Sequence, residues 1–266
     1  MYVSNRKYNY PFNIEREYIN FLKRYTKLLR KNTLDNIDNI YQLVKKWSIY
    51  KHDDDENEDI DEEINTDIII PLMLFMTAFI LRQELGRLFN SVNSYVLNDL
   101  QKEAKNALKR TAKETEVLAQ LEASQYDMTE IEALKETFIS DNIELVTKMT
   151  DDYKYKLKNT IKTAIDNNYS KEELTEAIKK NINITDNRAE LIAVDQIGKI
   201  NGRLEQYYQQ KIGVEHYIWS TMKDSRVRPT HRMREGKTFS WNNPPSDGHP
   251  GMAIRCRCKA KPVFED

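Results

Sequence analysis

"NRAELIAVDQIGKINGRLEQYYQQKIGVEHYIWST", residues 187–221, contains the point at which this chain changes character. Leu191, Val194, Ile197, Ile200, Leu204 and Tyr207 recur at intervals of three and four, the spacing of one face of an α-helix. Thr185 or Asp186 is suited to cap the start of that helix. Gly213 is suited to end it, because glycine takes the left-handed conformation without a Cβ penalty. Beyond Gly213 the period shifts. "HYIWST" and "GKTFSW" are short runs of the kind that form strands between loops.

Upstream, the chain reads as helix from residue 13 to about 212, with Gly86, Gly198 and Gly202 the glycines within it. "TEIE" (Thr129 to Glu132) and "SKEE" (Ser170 to Glu173) have the form of capping boxes, in which a hydroxyl takes an early backbone N–H and a glutamate reaches back. Residues 82–124 read as a long helix with a thin apolar stripe, suited to packing along other chains or extended neighbours. Downstream, five of the seven prolines fall within 229–262, joined by Gly236, Gly248, Gly251, Trp219 and Trp241. The expected fold is therefore mainly α, an elongated helical body with a small α+β C-terminal module. Its parts are a basic helical segment (1–50), an acidic linker (51–67), a long helical region (68–127) and a final domain (128–266). The last divides into helices (128–213) and a loop-and-strand cap (214–266).

Composition narrows the function classes. The 266 residues carry a net charge of −1, so no overall field draws the chain to DNA or a membrane. The charge is nonetheless segregated. Residues 1–50 hold ten Lys/Arg against four Asp/Glu, and residues 216–266 hold ten against five. The acid is concentrated in "HDDDENEDIDEEINTD", whose like charges suit a solvated linker or a docking segment for a basic partner. "IIIPLMLFMTAFIL" (68–81) is 14 residues long. That is short of the roughly 20 needed to span a bilayer, so it reads as a buried or interface helix begun at Pro71. The N-terminus has no apolar run with a cleavage site, so no secretory leader is expected.

Cys256 and Cys258 are the only cysteines. In a strand, "IRCRCK" would set both thiols on one face and Arg255, Arg257 and Lys259 on the other. A disulfide across one intervening residue would be strained. With His231 and His249 the pair makes H-x17-H-x6-C-x-C, four N/S donors of the kind zinc takes. Two buried free thiols beside two hydrogen-bonded histidines fit the spacing equally, and the loop-rich cap is small enough for a metal to help it fold. His216 suits a structural position and His52 a solvated one. Asp224, in "TMKDSRVRPTH", has three possible roles: capping a turn, orienting a metal-bound His231, or pairing with it as a general base. Arg226, Arg228, Arg232, Arg255 and Arg257 stand among aromatics and suit contact with phosphates or with a partner surface. No phosphate-cradling glycine loop is present in the sequence.

The run from "NRAELIAVDQIGKING" through "HYIWSTMKDSRVRPTHRMREGKTFSW" to "GHPGMAIRCRCKAKP" resembles the phage Mu F-like, or phage head morphogenesis, domain of minor capsid proteins. The likeness rests on Arg188, Ala189, Ile192, Ala193, Trp219, Asp224, Arg226, Val227, Arg228, His231, Gly236, Phe239, Pro250, Cys256, Arg257 and Cys258, and extends over about residues 128–262. Asp195-Gln196 stands where the family commonly has Thr-Glu, and Glu235 where it has a hydrophobic-Asp pair. The chain stops within eight residues of Cys258, so the toxin or enzyme domain that some relatives carry there is not expected. The resemblance implies a non-enzymatic, low-copy component of a tailed-phage virion, inside the capsid near the portal after assembly in the host cytoplasm. The expected partners are the portal protein, the major capsid or scaffold protein, and viral DNA, with roles in head assembly, packaging and ejection. The family pattern keeps His231 with both cysteines, which favours the zinc-closed alternative, His249 being the least secure ligand. The rival functions are a metal-dependent nuclease or hydrolase acting through Asp224 and His231, and a plain DNA-binding module. The Asn/Lys/Ile bias suggests an AT-rich host.

Overall fold

A computed structural model of the chain describes residues 2–3, 10–50, 62–64, 78–108, 116–120 and 128–264. Helices α1 (Phe12–Asp35) and α2 (Ile37–Tyr50) come first, then α3 (Ala78–Leu108), α4 (Met128–Asp166) and α5 (Lys171–Lys211). A one-turn helix α6 (Pro229–Arg232) lies between the strands of the cap. Strands β1 (Tyr2–Val3), β2 (His216–Ser220), β3 (Thr238–Ser240) and β4 (Lys259–Phe264) form one antiparallel sheet in the order β1-β4-β2-β3. A mainly α chain with a small α+β cap is thus what the sequence folds into. Among the described residues no helix is long and apolar enough to cross a membrane.

Helix ends follow local chemistry. The Ser170 backbone N–H bonds Glu173 Oε2 at 2.8 Å and the Glu173 N–H bonds Ser170 Oγ at 3.2 Å, a complete capping box at the start of α5. Gly213 takes φ +74°, its N–H bonds the Gln210 carbonyl, and the Val214 N–H bonds that of Gln209, closing α5 with a Schellman motif. Asn168, φ +51°, closes α4 with the same pair of bonds. Three expectations fail. Neither Thr185 nor Asp186 begins a helix, because α5 runs straight through them and Thr185 Oγ1 bonds back to the Asn181 carbonyl. Thr129 lies inside α4 rather than ahead of it, since that helix begins at Met128. The helix read over 82–124 ends at Leu108; a short helical piece follows at 116–120, and 109–115 and 121–124 fall outside the described residues. Most of the acidic run, and the apolar run up to residue 77, also lie outside them.

The chain divides into two compact units, neither contiguous in sequence. One gathers residues 18–83 and 141–192. In it, Tyr18, Tyr25 and Thr33 of α1 bond Asn142, Thr150 and Tyr153 of α4 in step along the two helices, at 2.8, 2.8 and 2.6 Å. These buried polar pairs are each satisfied, so they fix the register of the helices without stranding a polar group. Lys46 and Trp47 both donate to Glu63.

The other unit gathers residues 1–17, 84–140 and 193–266, and holds the sheet. Of the stripe read from the sequence, Val194, Ile197, Ile200 and Leu204 are buried here, joined by Tyr208, and Tyr207 is half-buried. Leu191, in the first unit, is instead exposed. The sheet is fastened to α5 by two side chains one helical turn apart. Glu205 accepts the Ala260 N–H at 3.1 Å and Gln209 Nε2 donates to the Ala260 carbonyl at 2.8 Å. Ala260 therefore turns both backbone groups away from β2, and its bonding edge is covered by α5. Pro262, two residues on, points the same way and needs no ladder donor there. Gln209 also accepts from the Trp241 indole at 3.2 Å.

Candidate metal centre

The aromatic core of the cap is Tyr217, Trp219 and Trp241, and Cys256 and Cys258 are buried against it. His231 enters from α6. Pro229 at its first turn presets the helical φ where no N–H is required, and the turn delivers the imidazole edge-on to Trp219, centroids 5.0 Å apart. His231 Nδ1 lies 3.5 Å from Cys256 Sγ and 3.4 Å from Cys258 Sγ. All three side chains are buried, and their donor atoms lie within 4.8 Å of one another.

The thiols share a side for a different reason from strand alternation. Residues 254–258 precede β4 and form a turn: Arg255 adopts φ +56° and the Cys256 N–H bonds the Ala253 carbonyl at 2.9 Å. The Arg255 N–H is held by Asp195 Oδ1 of α5 at 3.1 Å. This loop sits directly on the helix backbone. A Cβ placed on Gly198 would meet the Cys256 carbonyl oxygen at 2.6 Å, and one on Gly202 would meet that of Pro250 at 2.4 Å. Gly251 approaches in return, φ +89°, where a Cβ would lie 2.6 Å from the Gly198 carbonyl. Only hydrogen fits at these positions.

The electrostatics favour one thiolate. The Cys258 thiol directed at Cys256 draws the Cys256 pKa down to about 4 against burial, helped by His231 and by the backbone N–H groups of Cys258 and Gly251. Cys258, beside that thiolate, is pushed upward. His231 is raised, chiefly by its bond to Cys256 and further by Asp247. Asp247 Oδ2 holds the outer nitrogen of His231, Nε2, at 3.0 Å, and Arg234 donates to the other carboxylate oxygen. A carboxylate on the far nitrogen fixes the tautomer and turns Nδ1 inward, the arrangement that supports metal-binding histidines.

The other predicted residues are placed as follows. His249 does not join the cluster. Its Nδ1 pairs with Tyr217 Oη at 2.8 Å, and burial lowers its pKa. Asp224 does not reach His231. It accepts the Arg226 N–H at 3.0 Å and pairs with the Arg226 guanidinium, so it caps a turn, and the pairing that a hydrolase would use is not formed. Arg226, Arg228, Arg232 and Arg255 are exposed, whereas Arg257 is half-buried in a two-pronged pair with Glu15 at 2.9 and 2.6 Å. Sequence reasoning missed Asp247, Asp195, Glu15 and the glycine contacts. Of these, only the spacing of Gly198 and Gly202 on a glycine-poor helix left a signal.

Residues 155–261 match the phage Mu protein F like family. The matched stretch takes in the end of α4, all of α5, the three clustered donors and nearly all of the cap. An uncharacterized protein of Haemophilus influenzae is 35% identical over 126 residues, which is 47% of this chain and 28% of the relative. The chain thus spans little more than a quarter of that relative's length. No solved structure matches the chain.

Proposed function

We propose that this chain is a structural, non-enzymatic head protein of a tailed bacteriophage, acting in head assembly beside the portal and contacting DNA during packaging and ejection. The observation that carries the reading is the Mu F-like match over residues 155–261, a family of phage head morphogenesis. The geometry supports a protein that binds rather than turns over substrate. His231 is fastened on one side by Asp247 and faces two sulfurs on the other, and Asp224 is engaged with Arg226. Around that buried cluster the surface carries apolar side chains. Met233 and Ile254 are 65% and 62% exposed, and Arg228 reaches the Ile254 carbonyl. Exposed apolar side chains among arginines suit a protein or nucleic-acid partner.

The test is mass spectrometry of procapsids, mature particles and DNA-emptied particles of the phage that encodes the chain. A few copies per particle are expected, co-purifying with the portal protein. Absence from every stage would refute the head role. A plain DNA-binding function would instead show steep salt dependence on purified DNA without particle association.

A further inference from the structure

We infer that His231, Cys256 and Cys258 hold one zinc ion through three protein donors, and that His249 is not among them. Two observations carry this, both geometric. The first is the shape of the donor triangle. With Zn–S near 2.3 Å, Zn–N near 2.05 Å and tetrahedral angles, the nitrogen and each sulfur of a zinc site stand about 3.6 Å apart. The separations here are 3.5 and 3.4 Å. One imidazole nitrogen has a single lone pair, so it can accept from only one S–H. Two sulfurs at nearly equal distance from that nitrogen are what a shared cation produces, and what a thiol–imidazole bond leaves half explained.

The second observation is the support around the triangle. Cys256 Sγ receives the Gly251 and Cys258 backbone N–H groups, each at 3.4 Å, which stabilise negative charge on sulfur. Asp247 on Nε2 leaves Nδ1 as the free donor of His231. Two of the three ligands, Cys256 and His231, therefore have partners of their own, as metal ligands commonly do. His249 is turned elsewhere: its Nδ1 pairs with Tyr217 Oη at 2.8 Å, and it is not among the donors that cluster. Two thiolates and an imidazole are a soft set that selects zinc over magnesium or calcium. The fourth position is then left to a small non-protein donor such as water. The ion would join α6 to the turn that enters β4, reinforcing the bond from Arg228 to the Ile254 carbonyl.

The experiment is metal analysis and zinc-edge X-ray absorption on the full chain expressed with zinc. The expected result is about one zinc per chain, with two sulfurs, one imidazole and one oxygen donor in the first shell. His231→Ala and Cys258→Ser should each lower zinc content at least tenfold, while His249→Gln keeps it. Less than about a tenth of a zinc per chain in zinc-replete protein overturns the inference. So does a shell with two imidazoles. Should a variant fail to fold, the absorption spectrum of the unaltered protein decides by itself.

Discussion

Gly198→Ala and Gly86→Ala make the same chemical change in mid-helix, and the structure assigns them opposite signs. On an open helix surface, alanine for glycine gains up to about 1 kcal/mol, because glycine gives up more backbone entropy on folding. Gly86 meets that condition. A Cβ there would lie 3.9 Å from Lys135 Cε and 4.0 Å from Ile139 Cδ1, ordinary contact distances. Gly198 does not. Its Cβ would be 2.6 Å from the Cys256 carbonyl oxygen, so that backbone must retreat by roughly 0.8 Å to reach ordinary contact. The opposing atom cannot rotate away, and the turn it belongs to is already held by Asp195 and by the approach of Gly251. An overpacking cost of about 3 kcal/mol, the upper end of the usual range, outweighs the propensity gain. Gly198→Ala should lose about 2 kcal/mol net, and Gly86→Ala should gain about 1. For a chain of this size that corresponds to Tm changes of about −4 to −8 °C and +2 to +4 °C. Thermal unfolding followed by circular dichroism reads both. If Gly198→Ala equals or exceeds Gly86→Ala in Tm, the packing of the loop on α5 is refuted.

Three further changes probe other contacts. Lys259 is buried against Asp99 and Glu103, so Lys259→Met strands two carboxylates and should cost about 3–5 kcal/mol; a urea midpoint equal to wild type would contradict the buried pairing. Burial raises Glu205 to about 8 despite Lys259 and the Ala260 N–H, with Asp99 and Glu103 adding to the rise. The folded chain then keeps a proton that the unfolded chain releases between about pH 4.5 and 8, so this group's stabilisation is full below that window and is lost across it, by up to about 1.4 kcal/mol per pH unit. Glu205→Gln should flatten that fall in a series of urea titrations, and an unchanged slope would count against the shift. Ser170→Ala should cost about 1 kcal/mol by removing the hydroxyl of the capping box, and a midpoint unchanged in urea would show that the Ser170–Glu173 exchange contributes nothing.

The helices were legible because their signals are local. Capping at Ser170 and termination at Gly213 involve residues within one turn, and both stand as read. Thr185 and Asp186 misled because the capping residue types occur in mid-helix too, where Thr185 satisfies its hydroxyl on the carbonyl four residues back. The apolar stripe was legible except at Leu191, whose period is correct but whose face is exposed. The two compact units were not legible at all. Their boundaries cross α1, α3, α4 and α5 within the helices, and only the one in α3 lies near a glycine, Gly86, which does not interrupt the helix.

The sequence reading named His231, Cys256 and Cys258, which the fold gathers, together with His249, which it does not, and its two geometric readings fail for one cause. Strand alternation predicts that the thiols lie together, and nearness in sequence suggests a pairing of Asp224 with His231. Both arguments treat the segment as though its own chain directed it. In the fold the direction comes from α5. Asp195 takes the Arg255 N–H and turns that residue into a left-handed conformation, which brings Cys256 and Cys258 round to the same nitrogen. Asp247, sixteen residues beyond His231, reaches it, while Asp224, seven residues before, is taken up by its own turn. What makes this possible is a helix bare enough for a loop backbone to lie on it. The sequence trace of the site is therefore less the cysteine pair than Gly198 and Gly202, one turn apart, with Gly251 facing them. A chain that kept the His and both Cys but carried alanine at 198 and 202 would retain the donors and lose the surface that aims them.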